Sequence, residues 1–254
     1  MTWEFFLLIA LLAFVAEYID SSLGMGYGTT LTPLLLLLGF TPLQIVPVVL
    51  LSEFVTGLVA AGFHHTYQNV NFRRDSLDSR VALVLMLIGI VGAILAVSVA
   101  VHLPGWVIRV YIGILVLVLG VFVLVTPSGS QRFSWGRLVG IGLLSSFNKG
   151  LSGGGYGPIM TAGQILAGLS PKAAVGITSL SEGIVSLVGV IMYWATVREL
   201  EWQLALPILV GAIISTPLAA FTVQKLPLRS LRYLIALLAI TLGIVTLLRA
   251  MSAN

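Results

Sequence analysis

The chain is 254 residues long, 58% hydrophobic and only 9% charged, with a net charge of +4 and a mean hydropathy of +1.09, a composition outside that of soluble globular domains. It contains no cysteine, which excludes disulfides, thiolate metal ligands and a cysteine nucleophile. The positive charge does not point to nucleic acid, because the basic residues fall at the ends of apolar runs and in short connections, where they act as topology signals.

The first element begins at Trp3 as an apolar helix. It has neither a basic n-region nor a small-residue cleavage site, so it is not expected to be a removable signal peptide. It runs past Glu17 and Asp20 and breaks at Gly24, Gly26 and Gly28. The short apolar stretch 29–39 follows; at about 1.5 Å per residue it covers about half of a bilayer core of about 30 Å. Apolar runs of membrane-spanning length come next at 42–62, 81–101 and 107–126. The pattern then starts again, with a leading apolar segment up to Lys149, glycines at 153–157, a short stretch 158–168, and long runs at 171–194, 203–223 and 229–249.

The recurrence extends to individual residues. Gly24, Gly26, Tyr27 and Gly28 match Gly153, Gly155, Tyr156 and Gly157; Thr32 matches Thr161, Gly39 matches Gly168, and Pro42 matches Pro171. Leu51-Ser52-Glu53 matches Leu180-Ser181-Glu182 and, after a shorter loop, Leu103-Pro104 matches Leu226-Pro227. The chain is therefore read as two copies of one unit, 1–127 and 128–254, within one integral membrane domain.

Basic residues choose between parallel and inverted copies. If each leading segment returns to its own side, Arg73, Arg74, Arg80, Arg132, Arg137, Lys172, Lys225, Arg229 and Arg232 fall inside, against Arg109, Arg198 and Arg249 outside. If each leading segment crosses, the copies are parallel and the charges divide more evenly. The expected fold is thus an all-α polytopic membrane protein of two inverted-topology repeats, each with a broken, re-entrant leading segment and three full transmembrane helices. The breaks are expected to be buried in protein or to line a polar cavity, since unpaired backbone groups cannot face lipid.

Helices starting at Thr29 and Pro158 would direct their first N–H groups and positive dipole ends at the breaks. Two such ends meeting near the midplane make an anion site. Gly26, Gly28, Gly154, Gly155 and Gly157 would let the backbone approach a ligand, while Tyr27, Thr29, Thr30, Asn148, Ser152 and Tyr156 offer polar side chains. The alternative is that Gly24/Gly28 and Gly153/Gly157 serve only close helix packing. No Walker-type GlyLysSer or GlyLysThr accompanies the glycines, so a nucleotide loop is not expected.

Five charges lie within apolar segments: Glu17, Asp20, Glu53, Lys149 and Glu182. Such residues are costly in a bilayer and are functional candidates for that reason. Lys149 occupies the position matching Asp20, so it either contacts an anion directly or neutralises Asp20 or Glu17. Glu53 and Glu182 either carry protons in a coupled cycle or bond backbone amides freed at the breaks. Ser52 and Ser181 are expected to pack helices. Adjacent His64 and His65 lack the spacing of a helical metal pair and read as interfacial; no metal or cofactor is expected. Arg73, Arg74 and Arg80, interleaved with Asp75 and Asp78, read as a solvated loop. Trp3, Trp106, Trp135, Trp194 and Trp202 fall near span ends, as an aromatic belt does.

With its duplicated break, Ser21-Ser22-Leu23-Gly24-Met25-Gly26-Tyr27-Gly28-Thr29-Thr30 and Leu151-Ser152-Gly153-Gly154-Gly155-Tyr156-Gly157-Pro158-Ile159, followed by Gly39-Phe40-Thr41-Pro42 and Gly168-Leu169-Ser170-Pro171, the chain resembles the TauE/SafE sulfite exporter family over essentially its whole length. The resemblance implies a multi-pass protein of the cell membrane that exports a small sulfur anion, such as sulfite, sulfoacetate or another organosulfonate. Alternating access around a midplane site is the expected mechanism. A passive anion channel is the alternative, since the same half-helix geometry serves both. An intramembrane enzyme is less favoured, because HisGluXaaXaaHis and a deep His are missing.

Overall fold

The computed structural model describes residues 2–125, 133–197, 200–223 and 228–252. Arg132, Arg198, Lys225 and Leu226-Pro227 lie outside the described residues, as do the side chains of Arg229 and Arg232. Ten helices and no strand are present among the described residues. They are α1 Trp3–Leu23, α2 Tyr27–Leu37, α3 Pro42–Thr66, α4 Leu77–Ala100, α5 Gly105–Val125, α6 Trp135–Ser152, α7 Tyr156–Leu166, α8 Pro171–Val197, α9 Trp202–Thr222 and α10 Leu228–Ser252. The protein is all-α and polytopic: α1, α3, α4, α8 and α9 are each long and apolar enough to cross a membrane. The short helices α2 and α7 have 11 residues each, about half the core thickness.

The arrangement of side chains is that of a protein in lipid. On α4, Leu83, Leu87, Val91 and Leu95 form an exposed stripe at four-residue spacing, while Ala82, Gly89, Gly92, Ala93 and Ala96 face inward. Large residues outside and small ones inside is what helix packing in a bilayer selects, because lipid solvates leucine and close backbone contact supplies the attraction. All five tryptophans are exposed and sit at or near helix ends, where their amphipathic rings suit the membrane interface.

The two halves interleave. α1 packs against α9 and α6 against α4; α3 packs against α8, and α5 against α10; α4 meets α8 as α9 meets α3. Each pairing is matched by the one five helices along the chain. Among the described residues, six glycines have positive φ and fall into three matched pairs: Gly24 and Gly153 at 66° and 70°, Gly26 and Gly155 at 131° and 79°, Gly39 and Gly168 at 98° and 103°. The last pair explains the Gly39-Phe40-Thr41-Pro42 and Gly168-Leu169-Ser170-Pro171 motifs. In each, the glycine turns the chain out of the short helix. In the first, Thr41 caps α3 together with Gln44, whose Oε1 accepts the Thr41 N–H at 2.9 Å. In the second, Ser170 Oγ accepts the Ala173 N–H at 3.2 Å. Pro42 and Pro171 then open α3 and α8, positions at which a missing donor costs nothing.

Candidate functional site

The leading helices end alike. The Gly24 N–H donates to Asp20 O at 2.6 Å, and the Gly153 N–H to Lys149 O at 2.8 Å. Gly26, at φ 131° and ψ −21°, caps α2 in a conformation that side-chain-bearing residues do not adopt without strain. Because Gly26 and Gly155 are the capping residues, α2 and α7 begin at Tyr27 and Tyr156, two residues earlier than the sequence suggested. Pro158 still lies in the first turn, where its N–H would have no helical acceptor.

The two breaks touch backbone to backbone. A Cβ at Gly28 would run into Gly153 O and lie 2.7 Å from Gly154 Cα, and one at Gly157 would lie 2.5 Å from Gly24 O. Close packing is thus one use of these glycines. Thr161 fastens the contact by donating to Gly24 O at 2.6 Å. Its mate Thr32 faces Gly153 across the same seam. The matched pair Thr32/Thr161 was visible in the repeat, but its reach onto the opposite break was not.

Most polar groups at the breaks have protein partners. The Tyr27 N–H donates to Asp20 Oδ1 at 3.2 Å, and the Tyr27 hydroxyl pairs with Ser52 Oγ at 2.7 Å. Tyr156 is equally buried, but its hydroxyl has no hydrogen-bond partner among the described residues, and Ser181 Oγ donates instead to Ile177 O at 2.8 Å within α8. Ser52 thus holds a tyrosine as well as packing a helix, whereas Ser181 does not. Thr29 Oγ1 donates to Gly26 O at 3.2 Å, and the Thr30 N–H to the same oxygen at 2.9 Å. Asn148 Oδ1 accepts from the Tyr111 hydroxyl, and the Gly154 N–H donates to Ser152 Oγ at 3.2 Å.

One asymmetry stands out. Asp20 Oδ1 accepts the Tyr27 N–H at the start of α2, whereas the matching residue before α7 is Lys149. The first turn of α7 therefore has no carboxylate mate of Asp20. Asp20→Ala is expected to cost about 1–3 kcal/mol by stripping a buried N–H of its acceptor, with Asp20→Asn less damaging; thermal unfolding in detergent measures both.

Lys149 is fully buried, at 0% exposure. Its Nζ forms an ion pair with Glu182 Oε1 at 2.6 Å and a second with Glu53 Oε2. The sequence offered Asp20 or Glu17 as the residues for it to neutralise, and freed backbone amides as partners for Glu53 and Glu182; the structure instead joins the repeat-mate glutamates through one lysine. The cause is the crossing of α3 and α8. Gly57 lies so close to α8 that a Cβ there would be 2.8 Å from Gly183 Cα. This brings Glu53 and Glu182, each near the crossing, to either side of the α6 ammonium. Glu17 has its own donors: Ser21 Oγ at 2.6 Å and Thr56 Oγ1 at 3.1 Å. Glu17, Asp20, Glu53 and Glu182, with Thr56 and Ser179, line a cavity of about 10 Å³, about the room one water molecule needs.

His64 is not interfacial. α3 continues through Thr66, leaving His64 at 0% exposure. Its Nε2–H donates to Ser21 O at 3.0 Å, while its Nδ1 accepts from Asn69 Nδ2 at 3.1 Å. Asn69 also donates to Ala220 O at 3.3 Å, which ties the end of α1 to α9. His65 is the outward member, with its ring against Phe72. Among the described residues, no group of three or more His, Asp or Glu is placed to hold a metal ion.

Helices broken deep in a bundle, meeting beside buried charge, define a class: multi-pass membrane transporters build their centres in this way. The chain belongs to the TauE/SafE family, since the family model described as Sulfite exporter TauE/SafE matches residues 9–246. It is also similar to the Probable membrane transporter protein YtnM of Bacillus subtilis (strain 168), with 30% identity over 231 residues that cover 86% of this chain and 75% of that relative. The protein is a multi-pass membrane transporter of this family.

Proposed function

We propose that the protein is a secondary transporter that exports a small sulfur-containing anion, either an organosulfonate such as sulfoacetate or sulfite itself. The anion is held where the two glycine breaks meet, by the first turns of α2 and α7 together with Lys149, Asn148 and the glycine backbone. The two units, 1–127 and 128–254, are of inverted topology and rock against each other in alternating access. The observation that carries the reading is the fully buried Lys149, which stands ahead of α7 at the position where Asp20 stands ahead of α2. A sulfonate has three oxygens that accept charge-assisted hydrogen bonds from several directions, and a helix start beside a lysine supplies donors of that kind.

A carrier suits this centre better than a channel. Lys149, Tyr27 and Tyr156 are all at 0% exposure, so a pathway through the centre must open by helix movement. The test is a thermal-shift screen of purified protein against sulfite, sulfoacetate, taurine and sulfate, followed by flux into proteoliposomes. Stabilisation by at least one sulfur anion, with saturable flux accelerated by that anion on the far side, is expected. High unitary conductance would instead identify a channel, and indifference to every anion would remove the anion site.

A further inference from the structure

Lys149 is the positive charge at the centre, and two carboxylates already engage it. Around this triad the balance is heavily acidic. Glu17 and Asp20 from α1 bring the buried carboxyl groups to four against one ammonium. The other titratable groups within electrostatic reach are Tyr27 from α2 and Tyr156 from α7. From α5, Tyr111 points to Asn148; α4 carries Asp78 and Arg80 only near its start, and α9 carries no charged residue. His64 of α3 is held by Ser21 and Asn69. One further observation marks the triad as unfinished: Glu53 Oε1 is buried without a hydrogen-bond partner, although its neighbour Oε2 is paired with Lys149.

An anion that reaches Lys149 must therefore displace a carboxylate. Left ionised, that carboxylate would face both the arriving anion and the other acids in a buried site with room for about one water molecule, where like charges repel strongly. A proton resolves the conflict. Once protonated, the displaced carboxyl no longer competes for the ammonium and can donate its O–H to an anion oxygen.

We infer that the Glu53–Lys149–Glu182 triad couples anion movement to proton movement in the same direction, because the anion and the two carboxylates compete for one ammonium. This rests on the anion-transport reading above. No covalent bond changes. One proton joins a carboxylate oxygen as a monoanion takes its place on Lys149, and both leave to water on the opposite side. The triad has one net negative charge before loading and, with monoanion and proton bound, one net negative charge after. Transport of a monoanion is consequently electroneutral, and the membrane potential alone does not drive it.

The test uses the full chain in proteoliposomes, with methanesulfonate and sulfoacetate as probes. Sulfonates are anions of strong acids, so they do not carry protons across lipid as neutral molecules, as sulfite can. A pH-sensitive dye reports protons while potassium and valinomycin set the potential. The expected result for methanesulfonate is about one proton per anion, with a rate unchanged when the potential is stepped. Apparent affinity should weaken by up to about tenfold per pH unit as pH rises, because binding takes up a proton. The Glu53→Gln/Glu182→Gln protein should still move anion, but without protons and with a rate that follows the potential. Anion flux in the wild type that carries no protons and follows the potential overturns the coupling and leaves the proposed function standing. Absence of flux for both sulfonates, sulfite and sulfate overturns both.

Discussion

Replacing Lys149 with alanine is expected to destabilise the folded protein by about 3–5 kcal/mol, the cost of removing one partner from a buried ion pair. The cause is what remains rather than what is lost. Glu53 and Glu182, at 2% and 5% exposure, would face each other across a cavity with no cation, and Glu17 and Asp20 would be next in line. Lys149→Met should behave like the alanine variant despite filling more of the space, which separates charge from volume. The triple variant Lys149→Met, Glu53→Gln, Glu182→Gln removes the charge conflict and should recover most of the lost stability, as neutral replacement of buried ion pairs often does. It should not recover sulfonate binding. Chemical or thermal unfolding in detergent, set beside ligand-induced shifts, reads both outcomes. If the triple variant were as unstable as Lys149→Ala, the triad would not be the source of the loss.

The same triad marks where the sequence stopped being informative. The broken helices were legible because each depends on local chemistry: glycines at matched positions, Thr or Ser before Pro at the next helix start, and apolar lengths. Backbone conformations repeat closely at Gly24 and Gly153 and at Gly39 and Gly168, where φ is 98° and 103°, and less closely at Gly26 and Gly155. The buried charges were legible as a set, because five ionisable residues in apolar runs need explanation. Their pairing was not. It depends on how closely α3 and α8 cross at Gly57 and Gly183, and on α6 crossing α4 rather than staying with its own half. Long-range packing of that kind leaves no periodic signature. His64 shows the same limit on a smaller scale: one position along α3 separates a buried ring, held by Ser21 and Asn69, from its outward neighbour His65. The repeat itself could have predicted a symmetric centre, with Asp20 at one break and an acid at the other. Lysine at position 149 breaks that symmetry, and it is this departure that gives two glutamates a shared partner.

Gly28→Val is expected to be comparably severe, at about 3 kcal/mol or more, the upper end of what overpacking costs. A Cβ at Gly28 would collide with Gly153 O and lie 2.7 Å and 2.8 Å from Gly154 Cα and Gly153 C. All three are backbone atoms, so no side-chain rotation relieves the clash. The opposing segment cannot retreat easily either, since Gly153 is fixed at φ 70° by its N–H bond to Lys149 O. The reciprocal change at Gly154 should cost a similar amount, because its Cβ would lie 2.7 Å from Gly28 C and 2.9 Å from Thr29 N. Gly140→Ala is the matched control. That glycine lies within α6 with nothing inside 4 Å of an added Cβ, and alanine there should stabilise by about 0.5–1 kcal/mol through helix propensity. Opposite signs from additions at Gly140, within α6, and at Gly154, just beyond its end, would assign the effect to the seam between the breaks. Any variant that folds with the seam wedged apart should also shift the α7 start away from Lys149, so its anion affinity should fall even where its stability is restored by lower temperature. A folded Gly28→Val protein with full anion affinity would separate the glycine seam from the binding site.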